Sequence, residues 1–211
     1  MTGRPSSRDP GYRGIHNLGT YLRAGIPVGV LFALVYYSTN WISARRTDNF
    51  HLYFDRELAI PFVPGMIYIY ASVLVLVLLP ALTLTRDQIH ALARAILVTL
   101  LIAALAFLLL PADLGFERPA HVPGYNAVYQ ALYALEMPHN LVPSLHIASS
   151  TLLIAAILKN TASPWARLGL VLWGVLLCAS VLLVHQHHLL DVASGLLLGL
   201  GTYRLCFLRS L

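Results

Sequence analysis

His187-His188-Leu189-Leu190-Asp191 opens the last apolar run of the chain, LLDVASGLLLGLGTYRLCFL over residues 189–208. Pro143-Ser144-Leu145-His146 opens another, LHIASSTLLIAAIL over residues 145–158. A helix crosses a bilayer with about 20 apolar residues. Ionisable side chains at the edge of such a run are costly and mark a site. Outward from these two stretches, four more apolar segments lie at residues 24–42, 61–85, 91–110 and 165–184. The chain is 58% hydrophobic and only 11% charged, where a soluble domain carries roughly a quarter charged residues. The expectation is therefore an all-α, polytopic membrane protein. Its 211 residues suit one bundle of six transmembrane helices over residues 24–211, after a polar, basic tail over residues 1–23. No A-x-A cleavage pattern follows the first apolar run, so that helix is expected to remain as a signal anchor.

The positive charges set the expected orientation. With the N-terminus inside, ten of the fourteen Lys and Arg residues fall on the inner face, and only Arg45, Arg46, Arg56 and Arg118 fall outside. That asymmetry favours cytoplasmic termini and puts both histidine motifs at the outer face. The net charge of +5 then reflects arginines flanking spans, so nucleic acid is not an expected partner. Arg45 and Arg46 are expected at lipid headgroups. Pro61, Pro64 and Pro80 frame the second span, which is expected either to be kinked or to start in the interface. Cys178 and Cys206 sit inside apolar runs and read as small core residues. In the long polar connection Pro111–Val142, Tyr125, Tyr129 and Tyr133 recur every four residues. This predicts a helix lying in the membrane interface with tyrosine anchors.

The chemistry rests on two histidines and an aspartate. His187 and Asp191 are four apart, so on a helix they share a face. A carboxylate on one ring nitrogen fixes the tautomer and stabilises positive charge, which suits a nucleophilic or basic imidazole. His146 begins another helix at the same depth, and helix N-termini favour anions. Arg118 is placed to hold phosphate oxygens in a fork. On a helix His188 points about 100° away from His187 and is expected, with His185, to stand outside the reaction. One nucleophilic histidine, one acid/base histidine and a phosphate-binding arginine call for no metal and no cofactor.

These residues carry a resemblance to the type 2 phosphatidic acid phosphatase superfamily. Pro143-Ser144-Leu145-His146 matches its Pro-Ser-x-His motif in full, His187-x3-Asp191 matches the end of its Ser-Arg-x5-His-x3-Asp motif, and Arg118-Pro119 matches the end of Lys-x6-Arg-Pro. Pro111 stands where that family has lysine. Ser180 matches its serine, but Val181 replaces its arginine. In motif form the chain is similar to the inositol phosphorylceramide synthase branch and, more distantly, to the sphingomyelin synthases. Asp55 with Ile60-Pro61 and Pro64 is also similar to that branch. The resemblance implies a bundle like the lipid phosphatase and vanadium haloperoxidase core, acting on a lipid phosphate ester in the membrane. It implies His187 as nucleophile through a phosphohistidine, Asp191 as its orienting group, His146 as acid and base, and Arg118 with Ser144 on the phosphate. Water as acceptor makes a hydrolase, and an alcohol makes a transferase. Two other classes compete: a haem or metal site built from His146, His185, His187 and His188, and a non-catalytic membrane scaffold.

Overall fold

The computed structural model describes residues 17–211, and the expected tail lies largely outside them. The first helix, α1, runs over Leu18–Ser43 and so begins inside the stretch expected to be tail. Short helices α2 (Ile67–Ala71), α3 (Val73–Leu78) and α4 (Pro80–Thr83) follow a single turn at Pro64–Met66. Then come α5 (Arg86–Leu109), α6 (Asn126–Leu135), α7 (Leu145–Asn160), α8 (Pro164–Leu183) and α9 (Leu189–Thr202), the last continued by a wide turn over Tyr203–Phe207.

Five of these segments are long and apolar enough to cross a membrane: Leu18–Ser43, Pro64–Thr83, Arg86–Leu109, Pro164–Leu183 and Leu189–Ser210. Of the six spans expected, five correspond to these segments; the remaining one falls on α7, an apolar helix of only 16 residues. α7 is short because the Ser144 hydroxyl caps its start, accepting from Ile147 N–H at 3.3 Å. At its other end, Thr161 already has extended backbone. The molecule is a multi-pass membrane protein, and its surface is that of one. Leu74, Leu101, Leu105, Leu109 and Leu197 are exposed, whereas the residues α1 buries are polar: Thr39, Asn40 and Ser43. In hydrocarbon it is the polar groups that must find partners inside the protein.

The second span is interrupted at two places, between α2 and α3 and between α3 and α4. At Ser72 the hydroxyl donates to the Ile69 carbonyl at 2.6 Å and accepts from the Trp173 indole at 2.7 Å. At Pro80 the backbone has no N–H to donate.

The element that decides the site is the α7–α9 crossing, among the most extensive helix contacts in the molecule. Gly195 and Gly199 make it possible. A Cβ on Gly195 would stand 2.7 Å from the Ser144 carbonyl oxygen, and one on Gly199 would stand 2.5 Å from the Ala148 carbonyl oxygen. Small residues one turn apart let two membrane helices approach to backbone contact. Polar pairs tie the rest. The Thr99 hydroxyl donates to Thr202 at 2.9 Å between α5 and α9. The Asn160 amide donates to Gln88 at 2.6 Å between α7 and the capped start of α5.

The tyrosine-bearing helix forms as the spacing predicts, as α6, but its role differs. Tyr129 is fully buried and its hydroxyl donates to the Pro64 carbonyl at 3.2 Å. It is packed under the second span against Phe62 and Tyr133, as core and not as an interfacial anchor.

Candidate active site

The turn between α8 and α9 presents the histidines. Gln186 N–H and His187 N–H both donate back to the Val181 carbonyl, at 3.0 and 3.2 Å. His185 sits in the left-handed region with φ +56°, which is costly for a residue with a Cβ. It is held there by a 2.9 Å bond between its Nε2 and the Ile60 carbonyl and by stacking on Phe116 at 4.0 Å.

His187 therefore lies before the helix, not on it. Its contact with Asp191 has a different origin from the shared helix face expected. His188 is the N-cap, and Asp191, three residues on, reaches back over the first turn. Asp191 Oδ2 accepts from His188 N–H at 2.8 Å and lies 3.1 Å from His187 Nδ1. Both groups are buried, Asp191 at 1% exposure. This leaves Nε2 as the ring nitrogen of His187 not engaged by the carboxylate.

His146, in the first turn of α7, lines the same cavity as His187. The α7–α9 crossing holds the two together: Ser144 N–H donates to the Asp191 carbonyl at 3.1 Å. Tyr70 stacks on the His146 ring at 4.2 Å, while His146 Nε2 is buried without a hydrogen-bond partner among the described residues. A buried imidazole nitrogen of this kind is a group awaiting one.

Arg118 stands beside the cavity. Nη1 donates to the Glu136 carbonyl at 2.7 Å, Nη2 to Gln186 Oε1 at 3.0 Å, and the guanidinium lies over Tyr133 at 4.9 Å. Both partners are neutral oxygens, and Nε is buried and unpartnered among the described residues. The cation is positioned next to the His187 turn, and among the described residues no carboxylate forms an ion pair with it. Ser144 is fully buried, and its hydroxyl oxygen accepts from Ile147 N–H at the α7 cap.

The α9 N-terminus is not open to an anion as expected. Its amides are taken by two carboxylates of the protein itself, Asp191 on His188 N–H and Glu57 Oε2 on Leu189 N–H at 2.8 Å. Glu57 also lies 3.2 Å from His188 Nδ1, and His188 Nε2 meets the Leu114 carbonyl. The ring is stacked between Tyr53 and Phe116, each at 4.3 Å. Gly115, at φ +69°, admits the Tyr53 ring where any Cβ would collide with it. His188 and Glu57 thus form a second, enclosed histidine–carboxylate pair that clamps the loops bearing Glu57 and Leu114 onto the start of α9.

Sequence reasoning singled out Asp55 in this segment. That residue is exposed and lies 3.2 Å from His51, while Glu57, two residues later, is the buried one. A further group went unread. Glu136 is a half-buried carboxylate on the same cavity wall as the two histidines, bonded to the Tyr70 hydroxyl. Burial pushes its carboxyl up from the usual range, against the pull of Tyr70, His187 and Arg118. Neither glutamate sits in a recognisable motif, so only the folding of loops onto α9 and the cavity reveals them.

Among the described residues no group of three or more His, Cys, Asp or Glu is gathered as for a metal ion. His185 and His188 stack on Phe116, whereas His146 and His187 line the cavity. The four histidines therefore do not converge.

No curated protein and no solved structure matches the chain. A family model described as the PAP2 superfamily matches residues 92–210, more than half of the sequence. The matched stretch holds Arg118, His146, His187 and Asp191, and leaves out α1 and Glu57. By that match the chain belongs to the PAP2 superfamily.

Proposed function

We propose that the protein is a lipid phosphatase or phosphotransferase that works through a phosphohistidine at the outer face of the membrane, with α7 as a sixth, short crossing. The observation that carries this reading is one cavity lined by His187, paired to a buried carboxylate, and by His146, whose Nε2 is unpartnered among the described residues.

His187 Nε2 attacks phosphorus as the bond to the leaving oxygen breaks, and His146 gives that oxygen its proton. Asp191 accepts from Nδ1, holds the ring and stabilises its positive charge. The roles then reverse. His146 takes a proton from water or an alcohol, the new oxygen bonds to phosphorus, and the bond to His187 breaks. Arg118 supplies the cation next to the transferring group.

A specific observation favours an alcohol acceptor and a phosphodiester donor, as in the inositol phosphorylceramide synthase branch. Val181, where hydrolytic relatives have arginine, is fully buried in an apolar cluster with Val184 and Val192. Pro111, where they have lysine, is buried too. Arg46 is paired with Asp48 at 2.5 Å and Arg45 lies over Trp41 at 3.5 Å. With the Glu136 carboxylate on the cavity wall and Arg118 the cation beside it, the site suits a phosphodiester, which carries one negative charge, better than a doubly charged monoester.

The test is purified protein with a lipid panel, scoring inorganic phosphate against new lipid species by mass spectrometry. His187→Ala abolishes both turnover and a trapped phosphoenzyme. His146→Ala stops turnover of natural lipids and is partly rescued by a substrate with an acidic leaving group. Asp191→Asn loses on the order of 10²–10⁴ in rate. Essential His188 with dispensable His187 would refute the assignment.

A further inference from the structure

The cavity that holds the two histidines does not end at them. It continues as a groove of about 450 Å³ between α1, α3, α5 and α7. Its upper end is polar, with Glu136, Asn140, His146 and His187. Among the described residues, His146 Nε2, Asn140 Oδ1 and Ser149 Oγ there are buried and unpartnered. Below Ser149 the walls turn apolar: Val28 and Phe32 on α1, Val73 on α3, Leu92 and Ile96 on α5. At the inner end the Tyr21 hydroxyl donates to the Val77 carbonyl, joining α1 to α3 and closing the floor. From Tyr21 to Tyr37, both on the wall, the groove follows α1 for about 24 Å at helical rise. That is most of a hydrocarbon thickness of about 30 Å.

Two glycines open the α1 side. Gly25 and Gly29 line the groove, and around a Cβ on Gly29 there is no atom within 4 Å. The space that side chains would occupy is left empty over a full turn. A long slot that is polar at the reactive end, apolar along its length and closed at its foot has the polarity gradient of one extended amphiphile.

We propose that this groove is the binding site for a long hydrocarbon chain of the substrate, lying along α1 with the phosphate at His187, so that α1 sets chain-length selectivity. This rests on the lipid-phosphate reading above. The closed floor at Tyr21 makes the groove a ruler, and chains that fill it are favoured over short ones.

The decisive measurement needs no turnover. A long-chain phosphatidylinositol with a photoreactive diazirine at the end of one acyl chain is cross-linked to the full chain in nanodiscs, and the adducts are mapped by mass spectrometry. Adducts are expected in the stretch from Tyr21 to Val28 and on Val77, and Gly29→Leu should cut them at least fivefold. Ile26→Ala, a change at a lipid-exposed position, should leave them unchanged. In turnover, Gly29→Leu should lower the ratio of kcat/KM for dipalmitoyl over dioctanoyl phosphatidylinositol, a phosphodiester donor, at least tenfold. Adducts spread evenly over the lipid-facing surface, or a length ratio unmoved by Gly29→Leu, would overturn the proposal. Adducts along α1 without any turnover would uphold the groove and count against the catalytic reading, whereas turnover with adducts elsewhere would do the reverse.

Discussion

Gly195→Ala is the sharpest test of how the site is built. The added methyl would stand 2.7 Å from the Ser144 carbonyl oxygen and 3.1 Å from Ile147 Cβ. Both belong to the start of α7, and the nearer is backbone, which has no rotamer to escape into. Restoring ordinary contact at about 3.4 Å requires the two helices to part by about 0.7 Å at this level. Overpacking of this kind costs about 1–3 kcal/mol. The displacement falls two residues before His146 and loosens the bond from Ser144 N–H to the Asp191 carbonyl. It therefore separates the acid/base histidine from the nucleophile pair. A misplacement near 1 Å costs on the order of 10² in rate, so a loss of roughly ten- to a hundredfold in turnover is expected together with lowered thermal stability. Gly199→Ala, with 2.5 Å to the Ala148 carbonyl oxygen and 2.8 Å to Thr151 Cβ, should be the less stable of the two. Gly201→Ala, with no atom within 4 Å of its Cβ, is the control and should match the parent. The assay is thermal unfolding in detergent alongside turnover of a lipid phosphate. Parent-like melting and turnover in Gly195→Ala would refute this account, as would equal losses in Gly201→Ala.

Glu57→Ala leaves Leu189 N–H and His188 Nδ1 without their buried acceptor and should cost about 1–3 kcal/mol in thermal unfolding, with Glu57→Gln closer to the parent. Arg118→Lys keeps a charge but loses the fork to the Glu136 carbonyl and Gln186. It should raise KM for the lipid substrate, and Arg118→Ala should raise it further; unchanged KM in both would remove Arg118 from phosphate binding. Burial raises the Glu136 carboxyl above its ordinary 4.5, so the folded protein holds this proton more tightly than the unfolded chain does. Its contribution to stability is complete below pH 4.5 and is lost as pH rises through the raised value. The melting advantage of Glu136→Gln over the parent should therefore widen from acidic to neutral pH, and a pH-independent difference would contradict the assignment. For topology, a single cysteine at the exposed Asp55, with Cys178 and Cys206 removed, should react with an impermeant thiol reagent from the outer side only. Labelling from the cytoplasmic side would invert the orientation.

Much of this molecule is legible in one dimension because the bilayer simplifies the problem. Apolar runs near 20 residues declare helices wherever they occur, so the long spans, the shortness of α7 and the polar connection carrying α6 all follow from local composition. The pairing of His187 with Asp191 is equally local, since a residue three positions into a helix reaches back over its own first turn whatever surrounds it. What local sequence left undecided is contact between distant segments. Glu57 and Glu136 have no motif, and they left solvent, Glu57 wholly and Glu136 in part, only when the Asp55–Ala59 turn folded over α9 and the end of α6 met Tyr70. Tyr129 has the spacing of an interfacial anchor, yet the second span covers it. The anion-favouring N-terminus of α9 is already filled by Glu57, a residue more than 130 positions away. The meeting of His146 with His187 depends on Gly195 and Gly199, whose missing side chains mean nothing until α7 lies against them. Periodicity and composition report how a segment meets its solvent, whereas the site is made where segments exclude that solvent together, and only the tertiary structure decides which ones do.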